Sequence, residues 1–255
     1  ISITALSQVN RAIDKGDGGA TVAIKRSEDD GVAGNIVAAW PGFVETIFGI
    51  AIDIGSTTVA GHLIDLTTGE VMSSSGVMNP QIRFGEDLMS RVSYVMMNKG
   101  GEKELTTVIR SAIDDLVHEL ADKASITPDK ILEVVMVGNP IMHHILLGID
   151  PTPLGAAPFV LATSEATYGA AEELDIHLPN ASFYVGPCIA GHVGADTAAA
   201  ILSEGPHRGS SMQLLIDVGT NAEIVLGDTT RQFAASSPTG PAFEGAQLSC
   251  GQRAT

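Results

Sequence analysis

A glycine-turn motif occurs twice in this chain and constrains its fold more than any other feature of the sequence. The first copy is Ile52-Asp53-Ile54-Gly55-Ser56-Thr57-Thr58 and the second is Ile216-Asp217-Val218-Gly219-Thr220-Asn221. In each copy a β-branched apolar run leads into Asp-x-Gly-Ser/Thr, and a second apolar run follows, which predicts two strands joined by a tight turn. Two such hairpins in distant parts of the chain predict two lobes that close on one nucleotide.

The residue types in both turns suit a bound phosphate group. Glycine lets the backbone turn tightly and approach a ligand closely, and the N–H groups and hydroxyls beside it can hold phosphate oxygens. The candidate phosphate ligands are Gly55, Ser56, Thr57, Thr58, Gly219, Thr220 and Asn221. Asp53 and Asp217 precede the turns, where a carboxylate suits Mg²⁺ held mostly through water. The alternative for each turn is an ordinary hairpin whose Asp caps its own backbone.

Composition excludes some partners and predicts a folded core. The net charge of −16 and the pI of about 4.6 argue against nucleic acid or an anionic membrane surface, because neutralising phosphates requires Lys and Arg. A hydrophobic fraction of 44% and a mean hydropathy of +0.23 predict a sizeable core. The two cysteines, Cys188 and Cys250, are too few for a disulfide framework or a four-cysteine cluster, and we expect buried thiols.

The sequence carries no sign of a membrane or secretory segment. It has no apolar run of about eighteen residues and no basic-then-apolar leader, so we expect no membrane span and a cytoplasmic location. The chain begins at Ile1 rather than Met and is expected to be part of a longer protein.

Hydrophobic periodicity predicts three units along the chain. They are a small α+β middle or linker domain over residues 1–46, a first α/β lobe over residues 47–208 with an insertion at 149–180, and the start of a second lobe over residues 209–255. In the first unit, Ala5, Val9 and Ile13 fall at helical spacing, and a strand is predicted from Ala20 to Ile24.

The predicted element order of the first lobe is β-β-β-α-β-α-β-α. Short β-branched runs predict strands, and apolar residues at i, i+3 and i+4 predict helices. The predicted strands are Phe48–Ile54, Val59–Asp65, a run from Glu70, Leu132–Val137 and Phe183–Val185; the predicted helices are Phe84–Val95, Leu105–Leu120, Pro140–Leu147 and Ala195–Leu202. This order is the pattern of a ribonuclease-H-like lobe.

Asp196 lies at the start of the last of these helices. A helix N-terminus lowers the pKa of a carboxylate, so Asp196 suits the orientation of a water better than strong base catalysis. The alternative is a helix N-cap, which would stabilise the helix by about 1 kcal/mol. We take Asp53, Asp196 and Asp217 as the candidate catalytic residues, with Asp53 and Asp217 also as metal ligands.

Two other sites leave a functional and a structural interpretation open. Gly138 and Asn139 follow a buried strand and are candidate nucleotide-binding residues, or a purely structural turn. His143 and His144 are adjacent on a predicted helix, where their side chains diverge by about 100 degrees. A structural role is therefore favoured over a shared ligand.

The paired hairpins and the element order resemble the actin, sugar-kinase and heat-shock-ATPase (ASKHA) superfamily, whose two lobes grip the nucleotide phosphates from opposite sides. Three connecting segments further resemble the corrinoid-activating reductases, which are ATP-dependent iron-sulfur proteins that reduce cobalt in corrinoid methyl-transfer systems. These segments are Val137–Gly148, Pro187–Thr197 and Ser237–Ala246. Asn79-Pro80, with Gly85, Asp87 and Arg91, also resembles this family, and either shapes the cleft or forms a capped loop before a helix.

The resemblance implies an actin-type ATPase lobe coupled to reductive activation, with ATP and Mg²⁺ as cofactors. It implies a corrinoid protein or its methyltransferase as partner and leaves a homodimer open. It places the iron-sulfur cluster in an upstream domain absent from this chain, with only the start of the second lobe present. It also implies that Asp196 acts as a general base towards an acceptor, which would be water in hydrolysis.

Two other functions are compatible with the same residues. A small-molecule kinase of the sugar-kinase type would use Asp196 to deprotonate an acceptor hydroxyl. A non-catalytic relative would bind nucleotide through the two hairpins without turnover.

Overall fold

Three β-sheets and five α-helices make up the described part of the chain, residues 3–26, 34–219 and 221–239 of a computed structural model. The helices are α1 (Ile3–Lys15), α2 (Leu88–Met97), α3 (Gly101–Lys123), α4 (Pro140–Leu147) and α5 (Ala195–Glu204). The strands are β1 (Ala20–Lys25), β2 (Asn35–Pro41), β3 (Phe48–Ile54), β4 (Thr58–Asp65), β5 (Val71–Met78), β6 (Ile131–Gly138), β7 (Thr167–Ala170), β8 (Ser182–Val185), β9 (Gln213–Val218), β10 (Asn221–Gly227) and β11 (Gln232–Pro238).

The largest sheet has six strands in the order β5-β4-β3-β6-β8-β7. β3, β4 and β5 form an antiparallel meander, β6 and β8 run parallel to β3, and β7 returns antiparallel at the edge. Ile50, Ile52 and Ile54 alternate along β3 and are each at most 2% exposed, as expected for a strand at the centre of a core. The predicted α/β class is confirmed.

The long helix α3 covers one face of this sheet. Its buried stripe repeats every three or four residues and consists of Leu105, Ile109, Ile113, Leu116, Val117 and Leu120. The helix lies close to β4, because a Cβ added at Gly61 would lie 3.0 Å from Leu120 Cδ1 and 3.2 Å from Leu116 Cδ2. Glycine at this position therefore lets the helix and sheet pack closely.

The N-terminal elements form a small unit of their own. The predicted helix and first strand are present as α1 and β1, and β1 pairs antiparallel with β2, which the sequence analysis did not predict. This unit meets the large sheet through the Trp40 indole, whose Nε1 donates to Asp129 Oδ2 at 2.7 Å. Gln8 Nε2 also donates to Asn180 Oδ1 at 2.7 Å.

Two parts of the first lobe differ from the predicted pattern. Residues 149–180, predicted as an insertion or crossover, contain β7, which adds an edge strand beside β8. Phe84 lies in a short 3-10 helix, Pro80–Phe84, and α2 begins only at Leu88. The reason is Asp87, whose Oδ1 accepts from the Ser90 N–H at 2.7 Å and so starts the helix there.

The second glycine-turn motif opens a separate antiparallel sheet in the order β11-β10-β9. The predicted second hairpin is β9 and β10, and β11 extends it by a third strand. Thr220 and residues 240–255, with Cys250, lie outside the described residues. Among the described residues, no helix is long and apolar enough to cross a membrane.

Candidate functional site

The carboxyl ends of three parallel strands meet at one edge of the large sheet. β3 ends in the first glycine turn, β6 ends at Gly138, and β8 leads through a short loop to the start of α5. In open α/β sheets, ligands bind in the crevice outside these strand ends. Asp53, Gly138 and Asp196, which are far apart in the sequence, therefore share one edge of the fold.

Two glycines bring these strand ends into close contact. A Cβ at Gly138 would lie 2.9 Å from the Ile54 carbonyl oxygen, and one at Gly194 would lie 2.5 Å from the Gly138 carbonyl oxygen. Neither contact is tolerated by a larger residue without a backbone shift. The tight packing places the N-terminus of α5 directly beside the end of β6, which in turn lies against the end of β3.

The first turn itself requires glycine at its first position. A Cβ on Gly55 would lie 2.7 Å from the Thr58 carbonyl oxygen. Behind the turn, the capping interpretation of Asn79 is confirmed, because Asn79 Oδ1 accepts from the Gln81 N–H at 2.9 Å. Asn79 and Arg91 are also both fully buried and in contact with the turn.

The second turn brings an additional acidic residue into the site. Asp217 on β9 and Glu223 on β10 are directly paired across the strands, so their side chains lie on the same face of the sheet. Ser236 on β11 donates its Oγ hydrogen to Glu223 Oε1 at 3.1 Å. At the turn, the Gly219 N–H donates to the Asn221 carbonyl at 2.9 Å, while Thr220 lies outside the described residues.

Carboxylates from the two sheets perturb one another across the cleft. The pKa of Asp53 is raised to about 6, first by burial and then by the charges of Asp196 and Asp217. Asp53 is exposed to solvent at its surface. The burial that raises its pKa therefore comes from the cleft walls around the carboxylate, which displace part of its hydration. The pKa of Glu223 is raised by burial and by the same two aspartates, against the lowering effect of Ser236.

Asp196 is not the helix N-cap that the sequence left as an alternative. Gly194 occupies the cap position, and Asp196 is the second residue of α5. Its pKa is raised, mainly by burial and further by Asp217, although hydrogen bonds from Thr197 lower it. The Thr197 N–H donates to Asp196 Oδ1 at 2.7 Å. The predicted lowering by the helix N-terminus is therefore outweighed, and the carboxylate is more basic than expected.

Asn139 has a capping role that the structure makes explicit. Its Oδ1 accepts from the N–H groups of Ile141 and Met142 at 3.1 and 3.0 Å, which starts α4. Its predicted contact with a nucleotide stays a prediction, as does that of Gly138.

The acidic cleft fits a magnesium ion held largely through water. Its donors are hard carboxylate oxygens, and a divalent cation would offset the charge repulsion that Asp196 and Asp217 exert on Asp53. Within the described residues, no three acidic, histidine or cysteine side chains are close enough to hold a metal ion directly. Asp53 and Asp217 therefore suit outer ligands of a hydrated ion.

The side chains of His143, His144 and Cys188 are buried in the core of the fold, which favours a structural role for each. His143 and His144 are 2% and 1% exposed, and His144 Nε2 accepts from the Ala162 N–H at 3.0 Å. Cys188 is a buried free thiol, and burial raises its pKa to about 11. The predicted buried thiol at Cys188 is confirmed, while Cys250 lies outside the described residues.

Glu223 is the acidic residue that sequence reasoning missed. In the sequence it is one charge inside an apolar strand, Asn221–Gly227, with no motif of its own. The available signal was hairpin register, since the residue opposite Asp217 must lie on the same face of the sheet.

A mixed lobe whose strand ends face a second hairpin across an acidic cleft defines the two-lobed, actin-type class of fold. Residues 211–255 match the family model described as the C-terminal domain of RACo, the ASKHA domain. Residues 48–209 match the model described as the RACo middle region. The latter match covers more than half of the chain, and the chain belongs to the RACo family.

Relatives of known identity agree with this family. The corrinoid activation enzyme RamQ of Eubacterium limosum is 37% identical over 211 residues, which cover 82% of this chain and 35% of RamQ. The [Co(II) methylated amine-specific corrinoid protein] reductase of Methanosarcina barkeri is 26% identical over 219 residues, covering 82% of this chain and 39% of the reductase.

A solved structure gives the same assignment. The structure of a reductive activator for corrinoid, iron-sulfur protein superposes with a TM-score of 0.86 at 31% identity, covering all of this chain and 40% of that chain. The predicted resemblance to corrinoid-activating proteins is thereby confirmed. The chain spans about two fifths or less of the length of these relatives.

Proposed function

We propose that this chain is the ATP-binding and hydrolysing part of a reductive activator that drives electron transfer to a corrinoid protein. Its family supports this role, as do relatives named as a corrinoid activation enzyme and a Co(II) corrinoid protein reductase. The partner is a corrinoid protein or its methyltransferase. The proposed electron donor is an iron-sulfur cluster on another part of the protein, as the resemblance to the corrinoid-activating reductases implies.

One observation carries the proposal: aspartates from both glycine-turn hairpins and from α5 face the same cleft. The pKa of Asp53 on the first sheet is raised mainly by burial, and further by the charges of Asp196 on the intervening helix and of Asp217 on the second sheet. Like charges are kept this close where a cation or a proton-transfer function offsets the cost.

In the proposed complex the two turns hold the phosphates of ATP from opposite sides. The first turn offers Ser56, Thr57 and Thr58, and the second offers Gly219, Thr220 and Asn221, with Gly138 and Asn139 at the cleft wall. Asp53 and Asp217 would hold Mg²⁺ through water, and the ion would neutralise charge on the phosphates.

Asp196 is the proposed base of hydrolysis. Its raised pKa makes the carboxylate a better proton acceptor than an ordinary surface Asp. It lies at the same edge of the large sheet as the first turn, and its charge interacts with that of Asp217 beside the second turn. It would orient a water for attack on the terminal phosphate and accept its proton. Binding and hydrolysis would then shift the lobes between open and closed states that differ in affinity for the partner.

The proposed units of the chain are those the sequence predicts. Residues 1–46 would link the cluster domain to the first lobe at 47–208, and residues 209–255 would begin the second lobe. Assembly into a homodimer and a cytoplasmic location stay predictions.

Calorimetry on the natural full-length protein tests the proposal. Wild type should bind ATP with Mg²⁺, and Asp53→Ala or Asp217→Ala should each weaken binding by about tenfold or more, since each removes a charged ligand. Unchanged affinity in both variants would remove the phosphate-hairpin assignment. ATPase activity that rises with added corrinoid protein supports the activator, whereas phosphate transfer to a small hydroxyl compound in its place would support the kinase.

A further inference from the structure

A buried polar network holds the back of the first glycine turn. Asn79 Nδ2 donates to the Gly55 carbonyl at 2.8 Å, and the Asn79 backbone N–H donates to the Thr57 carbonyl at 2.8 Å. Between them, Arg91 Nη2 donates to the Ser56 carbonyl. Three consecutive carbonyl oxygens of the turn are therefore fixed towards Asn79 and Arg91.

This arrangement determines where the turn's N–H groups point. In a trans peptide, the C=O of one residue and the N–H of the next point in opposite directions. With the Gly55 and Ser56 carbonyls held at the back, the N–H groups of Ser56 and Thr57 face forward. No hydrogen bond within the described residues uses either of these N–H groups. Two neighbouring backbone N–H groups that face the same way suit the binding of an anion.

Arg91 adds a charge to this support. Arg91 is fully buried, and it forms no ion pair with any of the described residues. Its remaining donors reach the Gly85 carbonyl at 3.0 Å, Gln81 Oε1 at 3.3 Å and Met142 Sδ at 3.4 Å. A buried guanidinium without a carboxylate in contact is costly unless an anion nearby compensates it.

The ionisation of Arg91 is consistent with a permanent cation. Burial lowers its pKa to about 10, and the charge of Asp87 opposes that lowering. At neutral pH the side chain is therefore positively charged, with its guanidinium directly behind the turn.

The second hairpin repeats part of this device. Thr239 Oγ1 donates to the Gly219 carbonyl at 2.7 Å. Thr239 is the first residue after β11, as Asn79 is the first residue after β5, and Gly219 corresponds to Gly55. A side chain placed after the third strand thus tethers the turn glycine in both hairpins, which ties the contact to the function of the turn.

We propose that Arg91 and Asn79 are positioning residues for the nucleotide phosphates: they hold the turn's carbonyls back, and the Arg91 guanidinium stabilises the bound phosphates from behind. The inference rests on the proposed function, because the ligand is the ATP of that site. Arg91 touches the turn and not the ligand. The effect of Arg91 on binding affinity should therefore increase with the number of phosphates in the ligand and be absent for adenosine.

The test measures binding of ATP, inorganic tripolyphosphate and adenosine to the full-length protein by calorimetry with Mg²⁺. Arg91→Met should weaken the binding of ATP and of tripolyphosphate by about tenfold or more, and should leave the affinity for adenosine within twofold of wild type. Arg91→Lys keeps the charge but cannot bond several carbonyls at once, so it should restore part of the affinity. The matched control is Arg110→Met, since Arg110 also donates to a backbone carbonyl, that of Leu146, at 2.9 Å.

The outcomes separate the two proposals. Wild type that binds neither ATP nor tripolyphosphate would sink the proposed function itself. Wild type that binds both, with Arg91→Met equal to Arg110→Met, would overturn the role of Arg91 alone. If Arg91→Met fails to fold, Arg91→Lys decides: a selective loss for tripolyphosphate supports the inference, and wild-type affinity contradicts it.

Discussion

At the scale of single residues, Asp53 faces the negative charges of two other carboxylates, Asp196 and Asp217. Burial and, after it, these two charges raise the pKa of Asp53 to about 6, so the ionised side chain is disfavoured in the cleft. Asp53→Asn removes that charge and should raise the Tm of the Mg²⁺-free protein at pH 7.5 by about 2–4 °C. The same variant should lose the additional Tm increase that ATP with Mg²⁺ gives wild type. Differential scanning fluorimetry with and without ATP and Mg²⁺ measures both effects.

Asp115→Asn is the control for both effects, the higher Tm without Mg²⁺ and the lost response to ATP with Mg²⁺. Asp115 is an exposed carboxylate on α3, and its removal should change Tm little and leave the response to nucleotide intact. A lower Tm for Asp53→Asn without Mg²⁺ would contradict the repulsion on which the argument depends.

Asp196 should separate turnover from binding. Asp196→Asn keeps the hydrogen bond from the Thr197 N–H but removes the proton acceptor, so the rate of ATP hydrolysis should fall by about a hundredfold. ATP affinity should stay within about threefold, because the carboxylate is not a proposed phosphate ligand. Single-turnover hydrolysis and equilibrium binding measure the two quantities. An equal loss in both would reassign Asp196 to nucleotide or metal binding.

The sequence predicted the aspartates of the site but not their neighbours. Asp53 and Asp217 belong to a local motif, so their positions follow from the turn alone. The register of the second hairpin pairs Glu223 with Asp217, but the presence of Glu223 in the site depends on how the two sheets meet. The sequence singled out Arg91 near the cleft, but its contact with the first turn depends on a helix packed behind that turn. The basicity of Asp196 was also misjudged, since burial by distant segments outweighs the local helix effect.

At the scale of elements, α4 carries a histidine pair that makes the fold sensitive to acid. His144 Nε2 accepts from the Ala162 N–H, so its proton lies on Nδ1, 2.9 Å from the Pro140 carbonyl. His143 Nδ1 faces that Nδ1–H at 3.3 Å, which leaves the His143 Nε2–H buried and without a partner within the described residues. Burial, helped by His144, lowers the pKa of His143 to about 4.

The sign of the pH dependence follows from that shift. The unfolded chain binds more protons than the folded one between pH 6.5, the ordinary value, and about 4. The contribution of neutral His143 to the free energy of unfolding is therefore fully present above pH 6.5, and it is lost as the pH falls from 6.5 to about 4. His143→Phe removes both the titration and the unpaired N–H, so it should recover up to about 2 kcal/mol of unfolding free energy at pH 5.

Urea unfolding at pH 5 and pH 7.5 measures this effect. His144→Phe is the contrasting variant. It leaves the Ala162 N–H without its acceptor and should lower the free energy of unfolding at both pH values. Equal pH dependence in wild type and His143→Phe would show that His143 does not titrate in this window.

The junction of β6 and α5 should tolerate no side chain at Gly194. A Cβ there would meet the Gly138 carbonyl at 2.5 Å and Asp196 Oδ1 at 2.7 Å, so α5 must shift. Gly194→Ala should cost about 1–3 kcal/mol of stability and lower ATP hydrolysis through the displaced carboxylate. Gly76→Ala on β5 is the matched control, since its Cβ would have no neighbour closer than 3.6 Å. Hydrolysis unchanged in Gly194→Ala would mean that the position of α5 does not matter for turnover.

Elements with a strong local pattern were predicted, and elements made by their neighbours were not. The stripe of α3 and the β-branched run of β6 are visible in the sequence, because each buries a periodic apolar face. β7 has only four residues, Thr167–Ala170, and two of them are Gly169 and Ala170, which have little strand preference. It is a strand because β8 offers a free edge to pair with, which no local signal reports.

At the scale of the whole molecule, the small N-terminal unit and the acidic cleft lie at opposite ends of the large sheet. Trp40 bonds to Asp129, which precedes β6, and Gln8 bonds to Asn180, which precedes β8. The cleft lies beyond the other ends of these parallel strands, and the eight residues of β6 alone span about 26 Å. The contacts of this unit are therefore separate from those of the proposed nucleotide site.

That separation predicts that docking of the unit and nucleotide binding can be uncoupled. Asp129→Ala combined with Asn180→Ala removes both hydrogen bonds. Amide hydrogen exchange in α1 and β2 should become about thirtyfold faster, because each bond contributes about 1 kcal/mol. ATP affinity of the full-length protein should stay within twofold. Ser203→Ala, at an exposed position near the end of α5, is the control for a substitution far from both contacts. Weaker ATP binding in the double variant would instead mean that the large sheet transmits strain from its N-terminal strand ends to the cleft, so that docking of the unit sets the affinity of the site.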